Sequence, residues 1–153
     1  MPKPKFTLKR LLIAYICFTV LIAFWIVIKN LQGIPTSELI TPNSKISIEI
    51  ADNSKTRQKG LSGRSPIYEK YGMLFVFENT RLNNCFWMKD MNFAIDMIWM
   101  DEQKKVITVA ENVGPDTYPN TFCPETPAKY GLEIKANSAS SLGIVTGVEL
   151  QFR

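Results

Sequence analysis

Residues 84–100 read NCFWMKDMNFAIDMIWM. Outside the N-terminus this is the densest apolar and aromatic run, yet it carries Lys89, Asp90 and Asp96. A chain that buries it must pair those charges or leave them at a rim, because an unpaired buried charge is very costly. Within residues 93–99, Phe93, Ile95, Met97 and Trp99 share one face of a strand, and Ala94, Asp96 and Ile98 share the other. Cys85 to Lys89 reads as a preceding strand. The polar turn DEQKK at 101–105, followed by VITVAENV at 106–113, completes a hairpin.

Working outward, Met73, Phe75 and Phe77 alternate with Leu74 and Val76, which describes a central strand covered on both sides. Ile46, Ile48 and Ile50 alternate with polar residues, as a half-buried strand does. Between these two lies ADNSKTRQKGLSGR, where Asn53 or Ser54 can cap a short helix and Gly60 or Gly63 can end it. Arg57 in this helix reads first as a structural ion pair to the sheet. Residues 114–127, GPDTYPNTFCPETP, form a proline-rich connection of the kind that is more often functional than neutral. Tyr130, Leu132 and Ile134 alternate in a further strand, and Val148, Leu150 and Phe152 in a last one; residues 138–142 suit one helical turn. The expected fold is mainly β (α+β): a compact six- or seven-stranded barrel- or sandwich-like domain over residues 45–153, with one or two short helices.

The N-terminal third has a different character. Residues 11–28 are apolar without a charge, and eighteen residues at the helical rise reach roughly 27 Å, enough for a hydrocarbon core. Four positive charges precede this run and Lys29 follows it. The positive-inside rule then makes residues 1–10 a cytoplasmic basic tail and residues 11–29 a single-pass transmembrane anchor in the cell membrane. The run is longer than a cleaved signal peptide's apolar region and ends without a small-x-small site, which favours an uncleaved anchor. Residues 30–44, with two prolines and no sustained period, read as a linker to an extracytoplasmic domain.

Charge and composition remove several function classes. All five charges of residues 1–30 are basic, whereas residues 31–153 hold 13 Lys and Arg against 14 Asp and Glu. That domain lacks the basic excess a nucleic-acid binder needs. The chain has no histidine, which removes His triads, His-ligated zinc and His general bases. It shows no Gly-rich phosphate loop, serine elbow or clustered metal ligands, so no cofactor or metal is expected.

The series ADNSKTRQKGLSGR, GMLFVF, FWMKD, AIDMIWMDE, a proline-rich loop and AKYGLEIKA resembles the domain of unknown function 192 family over about residues 45–152. The matching positions include Arg57, Gly60, Leu61, Arg64, Gly72, Trp87, Lys89, Asp96 and Glu133. The resemblance implies a compact β-rich fold, often behind a signal or anchor, and no established activity. Asp90-Met91 departs from the Asn-Thr that such proteins typically carry after the Lys, which alters any site the pair lines.

Three constellations could carry chemistry. Trp87, Lys89 and Asp96, with Arg57, Arg64 and Glu133 as neighbours, could form an aromatic wall with polar groups around a sugar or peptide. Alternatively Trp87 is core, and Lys89–Asp96 or Arg57–Glu133 are internal ion pairs. Asp90, Asp96 and Glu133 could supply a carboxylate pair for glycoside hydrolysis. Cys85 and Cys123 either form a disulfide across the proline-rich loop or stand as separate thiols. The leading expectation is a non-catalytic domain that binds an envelope glycan or a protein partner. The alternatives are a carboxylate-dependent hydrolase of envelope polymers and a structural subunit of a membrane complex.

Overall fold

The computed structural model describes residues 8–31 and 36–152, with side chains described for 11–26 and 36–152. The chain divides into two compact units, the first ending at Gly33 and the second beginning at Ile34. The first unit holds helix α1 (Leu8–Leu31), whose residues 11–26 are all exposed. Among the described residues no helix is long and apolar enough to cross a membrane. The anchor over residues 11–29 therefore rests on the sequence. The first seven residues of the basic tail and linker residues 32–35 lie outside the described residues.

The second unit is mainly β. Its strands are β1 (Thr36–Ile40), β2 (Lys45–Ala51), β3 (Tyr71–Arg81), β4 (Phe86–Trp87), β5 (Ile95–Met100), β6 (Val106–Val113), β7 (Thr121–Phe122), β8 (Ala128–Lys135) and β9 (Gln151–Phe152). A short helix α2 (Ser54–Lys59) joins β2 to β3. Seven strands form one curled sheet in the order β6-β5-β8-β3-β2-β1-β9, and β4 pairs with β7 in a separate ribbon. The pairing of β2 with β3 is parallel, and the others are antiparallel. The C-terminal segment bridges the ends of the sheet. Val106 on β6 exchanges hydrogen bonds with Gly147 and Val148, while β9 pairs with β1. The architecture is thus one curled half-barrel sheet and not a two-sheet sandwich.

Two expectations need correction. Residues 36–40, placed in the linker, form β1, paired residue for residue with β2. Pro42 sits in the turn of this hairpin, where Thr41 and Ser44 bond across it. Leu39 is fully buried, so packing fixes a strand that its prolines disguise. The strand expected over 85–89 is ordered as a strand only at Phe86–Trp87, because its partner β7 is equally short.

Alternation divides the core as the sequence requires. On one face Leu74, Ile98, Leu132 and Ile134 pack with Leu39, Ile48 and the loop residues Ala139, Leu142 and Ile144. On the other, Met73, Phe75, Ile95, Met97 and Trp99 are covered by Leu61, Phe86, Met88 and Met91. A parallel β2/β3 pair needs a crossover, and α2 with the turn after it supplies it. Asn53 caps α2 by accepting from the Thr56 amide, while the Thr56 hydroxyl reaches back to the Asn53 amide.

Candidate functional site

β8 lies inside the sheet between β5 and β3, and its one buried polar side chain is Glu133. Leu132 and Ile134 point to the first core, so Gly131 and Glu133 point to the second. A Cβ at Gly131 would overlap the Phe86 ring, so this position must be glycine for β4 to lie flat on the sheet. Glu133 sits between Met73 on β3 and Met97 on β5, its register partners. It is 5% exposed, and its Oε2 has no hydrogen-bond partner. Burial pushes its carboxyl up to about 8, against a smaller opposing pull from the Arg64 charge.

The space beside Glu133 is a cleft of about 280 Å³. Phe75, Phe77, Phe86 and Trp87 form its aromatic walls, with Leu61, Met91 and residues 57–60 of the α2 side around it. The ribbon sets the outer wall. Phe86 is wedged between Phe75 and Trp99, at ring-centroid distances of 4.8 and 5.2 Å. Its neighbour Trp87 therefore turns outward and is 49% exposed. Lys89 places its Nζ 5.6 Å from the centre of the Trp87 ring, and Tyr118 meets that ring edge-on. Cys85 and Cys123 are joined in a disulfide that pins β4 to the proline-rich loop. Asn84 adds a second clamp by donating to the Asn79 and Ala128 carbonyls and accepting from the Trp99 indole. At the cleft's other side Gly60 has φ +48°, and a Cβ there would stand 3.4 Å from Phe75 and 3.8 Å from Glu133 Oε2.

The remaining candidates are placed elsewhere. Asp96 lies on the opposite face of the sheet from Glu133, fully buried. Its two oxygens accept from the amides of Asn112, Asn137, Ser138 and Ala139 at 2.8–2.9 Å. It forms no pair with Lys89, which is exposed at the Trp87 ring. Arg57 does not pair with Glu133. It ties α2 to β3 through Glu78 at 2.6 Å, the Val76 carbonyl and the Asp52 carbonyl. Arg64 holds Glu49 through both carboxylate oxygens, and Tyr71 joins the same cluster. The Arg64 bond lowers the Glu49 carboxyl, and burial lifts the Tyr71 phenol to about 12. Asp90 occupies a left-handed position, φ +56°, which Asp and Asn tolerate. Its neighbour Met91 is buried in the cleft lining, so the departure at this pair falls on the site itself.

The sequence reading missed Phe75, Phe86, Gly60 and Met91 as lining residues. The signal available for Phe75 was its parity with Met73 on the covered central strand. A wider recess of about 640 Å³ lies beside Ser37, Glu38, Lys104 and Phe152. There Glu38 pairs with Lys45, and Lys104 donates to the Phe152 carbonyl. Among the described residues no group of His, Cys, Asp or Glu is arranged to hold a metal ion.

A curled, mainly β domain with an aromatic cleft over one unpartnered carboxyl is the class that fold and site define. The DUF192 family model, described as "Uncharacterized ACR", matches residues 38–152, and the chain belongs to this family. Among solved structures it is similar to a "putative transcription regulator" from Sinorhizobium meliloti 1021, at 28% identity and a TM-score of 0.69. That match covers 76% of this chain and 92% of the other. It also shares its fold with a protein of unknown function from Novosphingobium aromaticivorans DSM 12444, at 24% identity and a TM-score of 0.67, covering 76% and 83%. No curated protein matches it.

Proposed function

We propose that residues 34–153 form a ligand-binding domain that takes a small group of an envelope polymer, glycan or peptide, into the Glu133 cleft, tethered to the cell membrane by residues 11–28. The observation that carries this reading is the buried, unpartnered Glu133 carboxyl at an aromatic cleft. Leaving a buried polar atom unsatisfied costs about 1–3 kcal/mol, a cost that a bound partner would offset. Trp87 supports the reading, since a half-exposed ring beside a cleft offers a stacking surface. The tether is supported by the uncharged apolar run 11–28 and its flanking basic residues.

Hydrolysis of envelope polymers is less well supported. It needs two carboxyl groups flanking one bond. Asp96 faces away from Glu133, Asp90 is exposed and outside the cleft lining, and Glu49 is held by Arg64, so none of them supplies the second. The regulator name of the S. meliloti relative would ask for a basic surface, and residues 31–153 carry a net charge of −1.

The test is thermal unfolding of the full chain in detergent micelles against saccharides and cell-wall peptides. A ligand at 100 times its dissociation constant adds about 2.7 kcal/mol and raises the midpoint. A raised midpoint that Trp87→Ala abolishes, in a variant still folded without ligand, supports the cleft as the site. An unmoved midpoint across the panel contradicts it.

A further inference from the structure

The lining of the cleft restricts the chemistry that its floor can accept. Three of the five Arg57 N–H groups go to Glu78 and to two backbone carbonyls, and the Ser62 hydroxyl donates to the Lys89 carbonyl. Gln58 and Lys59 are exposed at the rim. What remains inside is the Glu133 carboxyl and the rings of Phe75, Phe77, Phe86 and Trp87. A polyol would bring several hydroxyls to this floor and find one partner, leaving the others unsatisfied. An anion would meet a carboxyl and the negative faces of the rings. A small cationic donor suits both: it pairs with the carboxylate and lies against aromatic faces.

Resting on the binding reading above, we propose that the floor of the cleft takes a primary ammonium group, paired with the Glu133 carboxylate and held against the aromatic rings. The groups around Glu133 allow this. Its strand neighbours Met73 and Met97 are uncharged. The nearby guanidinium of Arg64 is already paired with Glu49, and that of Arg57 with Glu78. Lys59 and Lys89 are exposed, where water screens them. Met91 adds an apolar wall that suits the methylene next to an ammonium.

The pairing has a proton balance that can be read. Below pH 8 the free carboxyl holds a proton, and the arriving ammonium expels it to the buffer. Affinity for an amine that keeps its own proton then climbs with pH, approaching about tenfold per unit, and levels off between 8 and the pKa of the amine, about 10.4 for a lysine side chain; the more acidic ammonium of an amino sugar turns the profile over sooner. A neutral ligand that uses the protonated carboxyl behaves in the opposite way and weakens above 8.

The experiment is isothermal calorimetry on the full chain in detergent micelles, in two buffers of different ionisation heat, across about two pH units below 8. Three probes are used: Nα-acetyl-lysine methylamide, glucosamine and N-acetylglucosamine. Binding of either amine with proton release and the rising pH profile, lost in Glu133→Gln, supports the proposal. The lysine probe and the amino sugar then separate a peptide source from a glycan source. Trp87→Ala serves as the second variant should Glu133→Gln fail to fold, and it should weaken the amine at least several-fold. Amine binding that is flat with pH, or that survives Glu133→Gln, overturns the proposal. Binding of N-acetylglucosamine alone overturns the ammonium assignment and leaves the cleft as a binding site. No binding by any probe, with no midpoint shift across the wider panel, overturns both.

Discussion

Asp96 on β5 and Glu133 on β8 lie one register step apart on paired strands, both buried, on opposite faces of one sheet. Asp96 receives four backbone N–H groups, one from Asn112 near the end of β6 and three from the loop at 137–139. Glu133 has an oxygen that receives none. The first carboxylate is a structural bolt: it ties Asn112 of β6 and the loop after β8 to β5 through their backbone amides. The second is held neutral by the same burial, with an aromatic cleft beside it. Burial alone therefore does not distinguish a structural acid from a functional one, whereas the inventory of hydrogen bonds does.

The largest effect is expected at Asp96. Asp96→Ala strands four amides and should cost about 3–5 kcal/mol, read by urea unfolding of the full chain. Asp96→Asn should approach the same loss, because its NH₂ group would face donors. A loss below about 1 kcal/mol in either variant would break the contrast.

The disulfide comes next and sharpens the contrast, since it holds the cover over Glu133. Cys85→Ser with Cys123→Ser should cost about 2–4 kcal/mol. It should also let water reach Glu133 and return its titration toward the ordinary carboxyl range. The loop at 137–139 packs on the other face and should keep its amide-exchange protection.

Glu133→Gln should act with the opposite sign to Asp96→Asn. The folded carboxyl titrates at about 8, above its ordinary 4.5, so the folded state holds the proton more tightly than the unfolded chain. Its stabilising contribution is complete below 4.5 and lost as pH rises through 8. Glu133→Gln should match the parent near pH 4 and exceed it above pH 8, by on the order of a few kcal/mol. Midpoints measured across that range check it. The smallest effect belongs to Trp87→Ala, about 1 kcal/mol or less without ligand, because half of the ring is already in water.

Much of the fold was legible because alternation is a local signal. β3 and β5 each bury both faces, and their parity assigns Phe75 and Trp99 to one core and Leu74 and Ile98 to the other. The cap at Asn53 and the stop at Gly60 were likewise within the sequence expectation. Strand direction was not legible, since the parallel pairing of β2 with β3 leaves no mark on periodicity. β1 was hidden because only Leu39 of its five residues is buried and prolines flank it. At the site, Trp87 and Glu133 were named as neighbours and both line the cleft, but the ion pairs expected for Asp96 and Glu133 do not form. Asp96 takes three of its four partners from backbone 41–43 residues away and the fourth from 16 residues away, distances over which side-chain pattern says nothing. Arg57 takes Glu78 because the crossover delivers α2 to the end of β3 instead of to β8.

The most direct test is a carbon-13 NMR titration of the Glu133 side-chain carboxyl in the full chain, assigned by its disappearance in Glu133→Gln. A buried, unpartnered carboxyl should titrate near 8 without ligand. Titration in the ordinary range near 4.5 would show a carboxylate that is solvated or paired, and would contradict the account of the cleft.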